Sequence, residues 1–143
     1  MDSRAHVVWQ GTLADGSGEA TLATGVGGSL PVSWPSRTEA PSGKTSPEEL
    51  VAAAHAACYS MSLSGGLGRA GFTPTQLETD ATASFEKTDA GWRLTRMALR
   101  VVGDVPGIDQ AAFVEAATAA KDGCPVSNAL KGNVEITIEA ALA

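Results

Sequence analysis

The sequence predicts an α+β fold, with antiparallel sheets around one long, buried central helix. Three observations carry this. Strand-like segments occur as neighbours joined by short Gly-, Asp- and Ser-rich turns, the spacing of hairpins. Two stretches, 47–63 and 109–121, combine helix start signals with apolar positions at helical spacing. The first is apolar nearly all round, as expected of a helix covered on every side. The order reads βββ–α–ββ–α–α–β over residues 1–143, as a single domain without repeat or linker.

Residues 5–13, with Val7, Val8 and Trp9, read as a strand closed by an Asp-Gly-Ser turn at 14–18. A second strand follows at 19–24 and a short third at 28–34. Residues 35–44 are a polar loop with Pro35, Pro41 and Gly43. Ser46-Pro47-Glu48-Glu49 then places Ser at N-cap, Pro at N1 and Glu at N3, a capping box. The helix runs from 47 to at least 63, and Gly65, Gly66, Gly68 and Gly71 offer several ends. Residues 75–87 set Leu77, Thr79, Ala81, Ala83 and Phe85 on one strand face. Thr88-Asp89-Ala90-Gly91 turns the chain, and 92–102 returns beside it. After a turn at Pro106-Gly107, Asp109 caps a helix to about 121 with a stripe of Ala112, Phe113, Ala116 and Ala120. Gly123-Cys124-Pro125 ends it and opens a short helix through 130. Residues 134–140 are the last strand.

Composition narrows the function. Seven of 143 residues are aromatic, while Ala supplies 25 and Gly 16, so the core of one copy is thin. A close-packed interface with a second copy would complete it. The net charge of −6 argues against a nucleic-acid phosphate surface. The uncharged stretch 50–68 contains His55, three serines and three glycines, and reads as a buried helix rather than a membrane span. The first residues include Asp2 and no apolar leader, which points to the cytoplasm. Thiols are reduced there, so Cys58 and Cys124 are expected to be catalytic, redox-active or inert rather than a structural staple.

Local rules separate the two cysteines. Cys58 is mid-helix among alanines, the setting of an inert buried thiol unless a cation is brought to it. Cys124 precedes Pro125 at a helix start, where free N–H groups favour a thiolate. His55 lies three residues before Cys58 on the same helix face. The pair admits a Cys–His hydrolase, a zinc site with Cys124, or a hydrogen-bonded core histidine. A helix interior offers no oxyanion hole, and there is no CxxC or HxxxH pair. Among the ten cations, Arg37 stands in the loop just before the long helix.

Ser-Pro-Glu-Glu-Leu-Val-Ala-Ala-Ala-His-Ala-Ala-Cys-Tyr-Ser-Met at 46–61 and Gly-Cys-Pro-Val-Ser-Asn-Ala-Leu at 123–130 together resemble the OsmC/Ohr family of thiol peroxidases. Ala-Gly-Phe-Thr-Pro at 70–74 and Pro-Gly-Ile-Asp at 106–109 fit as well, and the likeness covers nearly the whole chain. The resemblance implies a hydroperoxide reductase. In it Cys58 matches the attacking cysteine, Cys124 the resolving one, and Glu48 and Arg37 the active-site glutamate and arginine. Ser33-Trp34-Pro35-Ser36-Arg37-Thr38 departs from the pattern in lacking an aromatic after the arginine. The likeness further implies a Cys58–Cys124 disulfide, reset by an external dithiol such as a lipoyl-bearing protein. An apolar surround of Ala, Leu, Met61 and Tyr59 would favour an organic hydroperoxide. No metal, flavin or nucleotide motif is present, so catalysis would rest on thiols alone, without a cofactor. A redox-sensing module with a disulfide switch remains the non-enzyme alternative.

Ten helical residues separate Glu48 from Cys58, a rise of about 15 Å. One Arg cannot readily touch both along a straight helix. The expectation is therefore an intertwined homodimer in which Arg37 and Glu48 reach the Cys58 of the other chain.

Overall fold

The computed structural model describes residues 1–39 and 43–143. Pro41 of the polar loop lies outside the described residues. The chain packs as two units, Met1–Leu50 and Val51–Ala143.

In the first unit, β1 (Ala5–Gln10), β2 (Ser17–Leu22) and β3 (Ser29–Ser33) form an antiparallel sheet in the order β1-β2-β3. Its register aligns Val7, Ala20 and Leu30 across one face, and Trp9, Gly18 and Val32 beside them. This face is apolar, yet Val7 is 54% and Trp9 40% exposed. Among the described residues of this unit only Gly16, Gly18, Ala20 and Ser33 are buried. The loop after β3 is not wholly irregular as expected. Pro35–Thr38 makes one helical turn, α1, closed by the Glu39 N–H donating to the Pro35 carbonyl at 2.8 Å. Pro35 at the first position presets the backbone for this turn, and the turn carries Arg37.

The long helix α2 spans Pro47–Arg69 without a break. Half of the expected capping box forms: the Glu49 N–H donates to Ser46 Oγ at 3.1 Å, while the Glu49 carboxylate accepts from the Thr45 hydroxyl. Of the glycines offered as ends, Gly65, Gly66 and Gly68 sit inside the helix. Gly71, at φ +90°, terminates it, with the Phe72 N–H closing on the Leu67 carbonyl at 2.9 Å. Within the chain α2 is not covered on every side. Ala52, His55, Tyr59, Leu63 and Leu67 form a buried stripe, but Ala53, Ala54 and Ala57 are exposed and Met61 is 68% exposed. Alanine on every side hides the direction of burial. The larger side chains at i, i+3 and i+4 spacing set it.

In the second unit, β4 (Gln76–Thr88) and β5 (Gly91–Asp104) form the expected hairpin, with a bulge at Ser84/Phe85. Asp109 caps α3 (Gln110–Gly123) by accepting from the Ala112 N–H at 2.8 Å. The six-residue α4 (Pro125–Leu130) follows. β6 (Glu135–Leu142) then joins β5 in parallel, unlike the pairings of β1 with β2, β2 with β3 and β4 with β5. The α3–α4 segment is a crossover between the two strands, and a crossover delivers a parallel partner. Tyr59, Leu63, Leu67, Leu99, Val101, Phe113, Ala117 and Cys124 form the core. Gly103 of β5 admits Phe113, since a Cβ there would lie 2.5 Å from its ring.

Candidate active site

Two constellations emerge, one in each unit. In the first unit, Arg37 of α1 meets Glu48 in the first turn of α2. Arg37 Nε donates to both Glu48 carboxylate oxygens at 3.2 Å, and Nη2 donates to Oε1 at 2.6 Å. The guanidinium is thereby fixed in plane by a charge-assisted fork. Its carbon also lies 5.4 Å from the centre of the Trp34 ring. Trp34, just before α1, thus sets an aromatic ring against the guanidinium. An apolar cavity of about 370 Å³ opens beside Arg37, lined by Val7, Trp9, Leu13, Val32 and Trp34. The expected arginine–glutamate pair is thus formed, with an apolar wall beside it.

In the second unit, Cys58 of α2 and Cys124, the N-cap of α4, are both free thiols, and Cys58 packs against the core cluster that contains Cys124. Cys58 is half-buried, whereas Cys124 is fully buried. Burial pushes the Cys58 thiol up; the Val126 N–H offsets this in part, and Cys124 adds to it. Burial also raises Cys124, but hydrogen bonds from the Ser127 hydroxyl and backbone, then from Cys58 and Val126, outweigh it and hold this thiol below its ordinary value. The Ser127 N–H reaches Cys124 Sγ at 3.4 Å. The helix-start environment expected at Cys124 is formed, with the Ser127 N–H aimed at its sulfur.

The side chains expected around Cys58 divide. Met61 lies on the exposed face of α2, while Tyr59 is fully buried and donates its hydroxyl to the Ala117 carbonyl at 2.8 Å. Tyr59 is core, not a wall of the site. His55 is a core histidine, with Nε2 2.7 Å from Ser127 Oγ. Burial holds its imidazole below the ordinary value, hence neutral. Its Nδ1 has no hydrogen-bond partner among the described residues. His55 is therefore not bonded to Cys58, as a Cys–His nucleophile would require. Ser127 and Trp34 carried no expectation from the sequence. The signal for Ser127 was its place three residues after the N-cap cysteine, where its N–H must face that side chain.

No helix is long and apolar enough to cross a membrane among the described residues. A family model described as OsmC-like protein matches residues 40–139. The chain is 46% identical over 136 residues to Peroxiredoxin OsmC of Escherichia coli (strain K12), covering 95% of this chain and 92% of that protein. It is 30% identical over 98 residues to the Organic hydroperoxide resistance protein of Xanthomonas axonopodis pv. citri (strain 306), covering 68% and 67%. Among solved structures, the Organic Hydroperoxide Resistance Protein OhrB of Bacillus subtilis superposes with a TM-score of 0.75 at 27% identity, over 96% of this chain and 97% of that one. The two motif segments, the order of elements and these likenesses converge, and the chain belongs to the OsmC-like protein family.

Proposed function

We propose that the chain, acting as one catalytic module, is a cysteine-based peroxidase that reduces organic hydroperoxides to alcohols. The observation that carries this is that a half-buried thiol, Cys58, packs against the core cluster that holds a fully buried one, Cys124. Only the accessible sulfur can meet a substrate, and only its neighbour can close on the product. The Cys58 thiolate attacks the terminal peroxide oxygen. A sulfur–oxygen bond forms, the O–O bond breaks, and the alkoxide leaves and takes a proton. Cys58 is then a sulfenic acid. Cys124 attacks that sulfur, the S–O bond breaks and water leaves. An external dithiol restores both thiols by exchange and is itself oxidised to a disulfide. We assign to Arg37 the stabilisation of the thiolate and of the departing alkoxide, and to Glu48 the orientation of Arg37. The apolar cavity beside Arg37 suits the alkyl part of an organic hydroperoxide. We assign the chain to the cytoplasm, where a reducing setting would return the two cysteines to thiols after each cycle.

We infer further that the functional species is a homodimer with composite sites. Acting on Cys58 are burial, Val126 and Cys124, and these leave the thiol raised. A peroxidatic thiolate needs a cation in addition. Because α2 is unbroken, the rise of about 15 Å from Glu48 to Cys58 applies. Arg37 and Glu48 of one chain would serve the Cys58 of the other.

One measurement tests the chemistry. After one equivalent of cumene hydroperoxide, mass spectrometry should find a Cys58–Cys124 bond, and its absence would count against the mechanism. Subunit mixing tests the composite site. Arg37→Ala and Cys58→Ser homodimers are each inactive, but their heterodimer holds one intact site if the partners cross. Co-expression should return about a quarter of parental activity. No recovery would place the arginine and the thiol of one chain in the same site. A second reading exchanges the two cysteines, on the observation that Cys124 stands at the start of α4 with the Ser127 N–H on its sulfur. Dimedone adducts distinguish them: the label falls on Cys58 in the first reading and on Cys124 in the second.

A further inference from the structure

Three residues not joined by the mechanism above meet in the core of the second unit. His55 of α2 is fully buried, and Ser127 of α4 is 2% exposed. They are 72 positions apart in sequence, and His55 Nε2 lies 2.7 Å from Ser127 Oγ. Ser127 in turn adjoins Cys124: its N–H reaches Cys124 Sγ at 3.4 Å, and its hydroxyl acts on the same thiol. His55 Nδ1 is buried without a hydrogen-bond partner among the described residues. That orphan decides the direction of the relay. A buried N–H left without an acceptor is rarer and more costly than a bare lone pair. We accordingly assign the proton to Nε2, so that Nε2–H donates to Ser127 Oγ. The serine oxygen is then occupied as an acceptor from the histidine side, and its own proton is directed at the sulfur.

We propose that His55 is a positioning residue for the resolving thiol: it fixes the Ser127 hydroxyl so that both the O–H and the N–H of Ser127 donate to Cys124 Sγ. The pair thereby stabilises the Cys124 thiolate inside the core, where the backbone alone leaves it only partly solvated. Stabilising the thiolate serves the second step. The Cys124 sulfur attacks the Cys58 sulfenic sulfur, the S–O bond breaks, and the departing hydroxide takes up the proton Cys124 had released. One thiol and one sulfenic acid give one disulfide and one water. His55 is neutral throughout and exchanges no proton in the step. This assignment rests on the reading of Cys124 as the resolving cysteine.

The test has two arms. The first uses no peroxide. In a Cys58→Ser background Cys124 is the sole thiol, and its ultraviolet thiolate absorbance titrates it without requiring access to the sulfur. The remaining titratable group acting with it is Tyr59 of α2, whose hydroxyl is bonded to Ala117 and driven up by burial, so it stays protonated across the range. Ser127→Ala should raise the Cys124 midpoint by about one pH unit. His55→Leu should raise it similarly. His55→Gln, which keeps an amide N–H donor and guards against misfolding of the Leu variant, should fall between Leu and the parent. Adding His55→Leu to Ser127→Ala should move the midpoint no further. An unmoved midpoint in His55→Leu, a Gln value equal to the Leu value, or equal shifts with and without Ser127 would overturn the proposal.

The second arm keeps both cysteines and adds an organic hydroperoxide with dimedone. Slower closure should leave several-fold more Cys58 trapped as the dimedone adduct in Ser127→Ala and His55→Leu. An unchanged trapped fraction counts against the relay. A complete lack of adduct in every chain instead breaks the peroxidase reading, and the titration still decides the His55–Ser127 pair on its own.

Discussion

Met1–Leu50 is a three-stranded sheet with four buried residues among those described, whereas Val51–Ala143 gathers ten buried residues into one cluster. The first unit carries the arginine–glutamate fork and leaves Val7 and Trp9 open beside it. The second carries both thiols and closes over one of them. The difference is one of completeness. The second unit has the apolar burial that a fold needs to outweigh chain entropy. The first holds its shape by strand pairing and leaves its apolar face uncovered, as does the Ala53, Ala54, Ala57 and Met61 face of α2. Two incomplete apolar surfaces, a cation fixed beside one of them, and a thiol raised by burial are what the proposed second copy would bring together.

The comparison can be broken at several points. The largest effect belongs to the second unit's chemistry: Cys58→Ser should reduce hydroperoxide turnover to the uncatalysed background in a coupled dithiol assay. Retained turnover would break the assignment of attack to the complete unit. Next is its core. Phe113→Ala leaves a cavity against Gly103 and should cost about 3–5 kcal/mol in denaturant melts. The first unit's fork follows: Arg37→Ala should lower kcat/KM by about 10²-fold or more, and Glu48→Gln by roughly tenfold through loss of orientation. Val7→Lys sharpens the contrast further. On a face exposed in solution it should change stability by about 0.5 kcal/mol or less. On a face covered by a second copy it should weaken self-association about tenfold or more in sedimentation.

The smallest effect is pH dependence. Burial holds His55 below its ordinary value of 6.5, so the folded chain binds fewer protons there than the unfolded one. Stability is then full above about pH 6.5 and falls as the pH drops through that value toward the folded one. Thermal melts near pH 7.5 and near pH 5 should show a larger loss in the parent than in His55→Gln. Equal losses would show that other groups carry the acid sensitivity.

Much of the fold was legible locally. Ser46 and Asp109 announce their helices because each offers a side-chain oxygen to free N–H groups. Thr88 to Gly91 announces its hairpin, and Cys124-Pro125 announces both α4 and an acidic thiol. The motifs about Cys58 and Cys124 carry the family likeness in the sequence itself. Less legible were α1, a single turn inside a polar stretch, and the parallel docking of β6. The three glycines inside α2 were indistinguishable from its end, because only Gly71 adopts the positive φ that stops it.

What the sequence determined by itself are the events decided within a few residues: caps, turns, strand alternation, and the helix-start environment of one cysteine. These depend on hydrogen bonds and dihedral preferences that neighbours along the chain supply. The tertiary structure decided which stripe of an alanine-rich helix is covered, that Trp34 lies against Arg37, and that His55 meets Ser127 across 72 positions. It also decided that the cysteine at the helix start is the one fully withdrawn from solvent. Burial and long-range pairing are set by what the folded chain packs against each group, and no local pattern of residues encodes that.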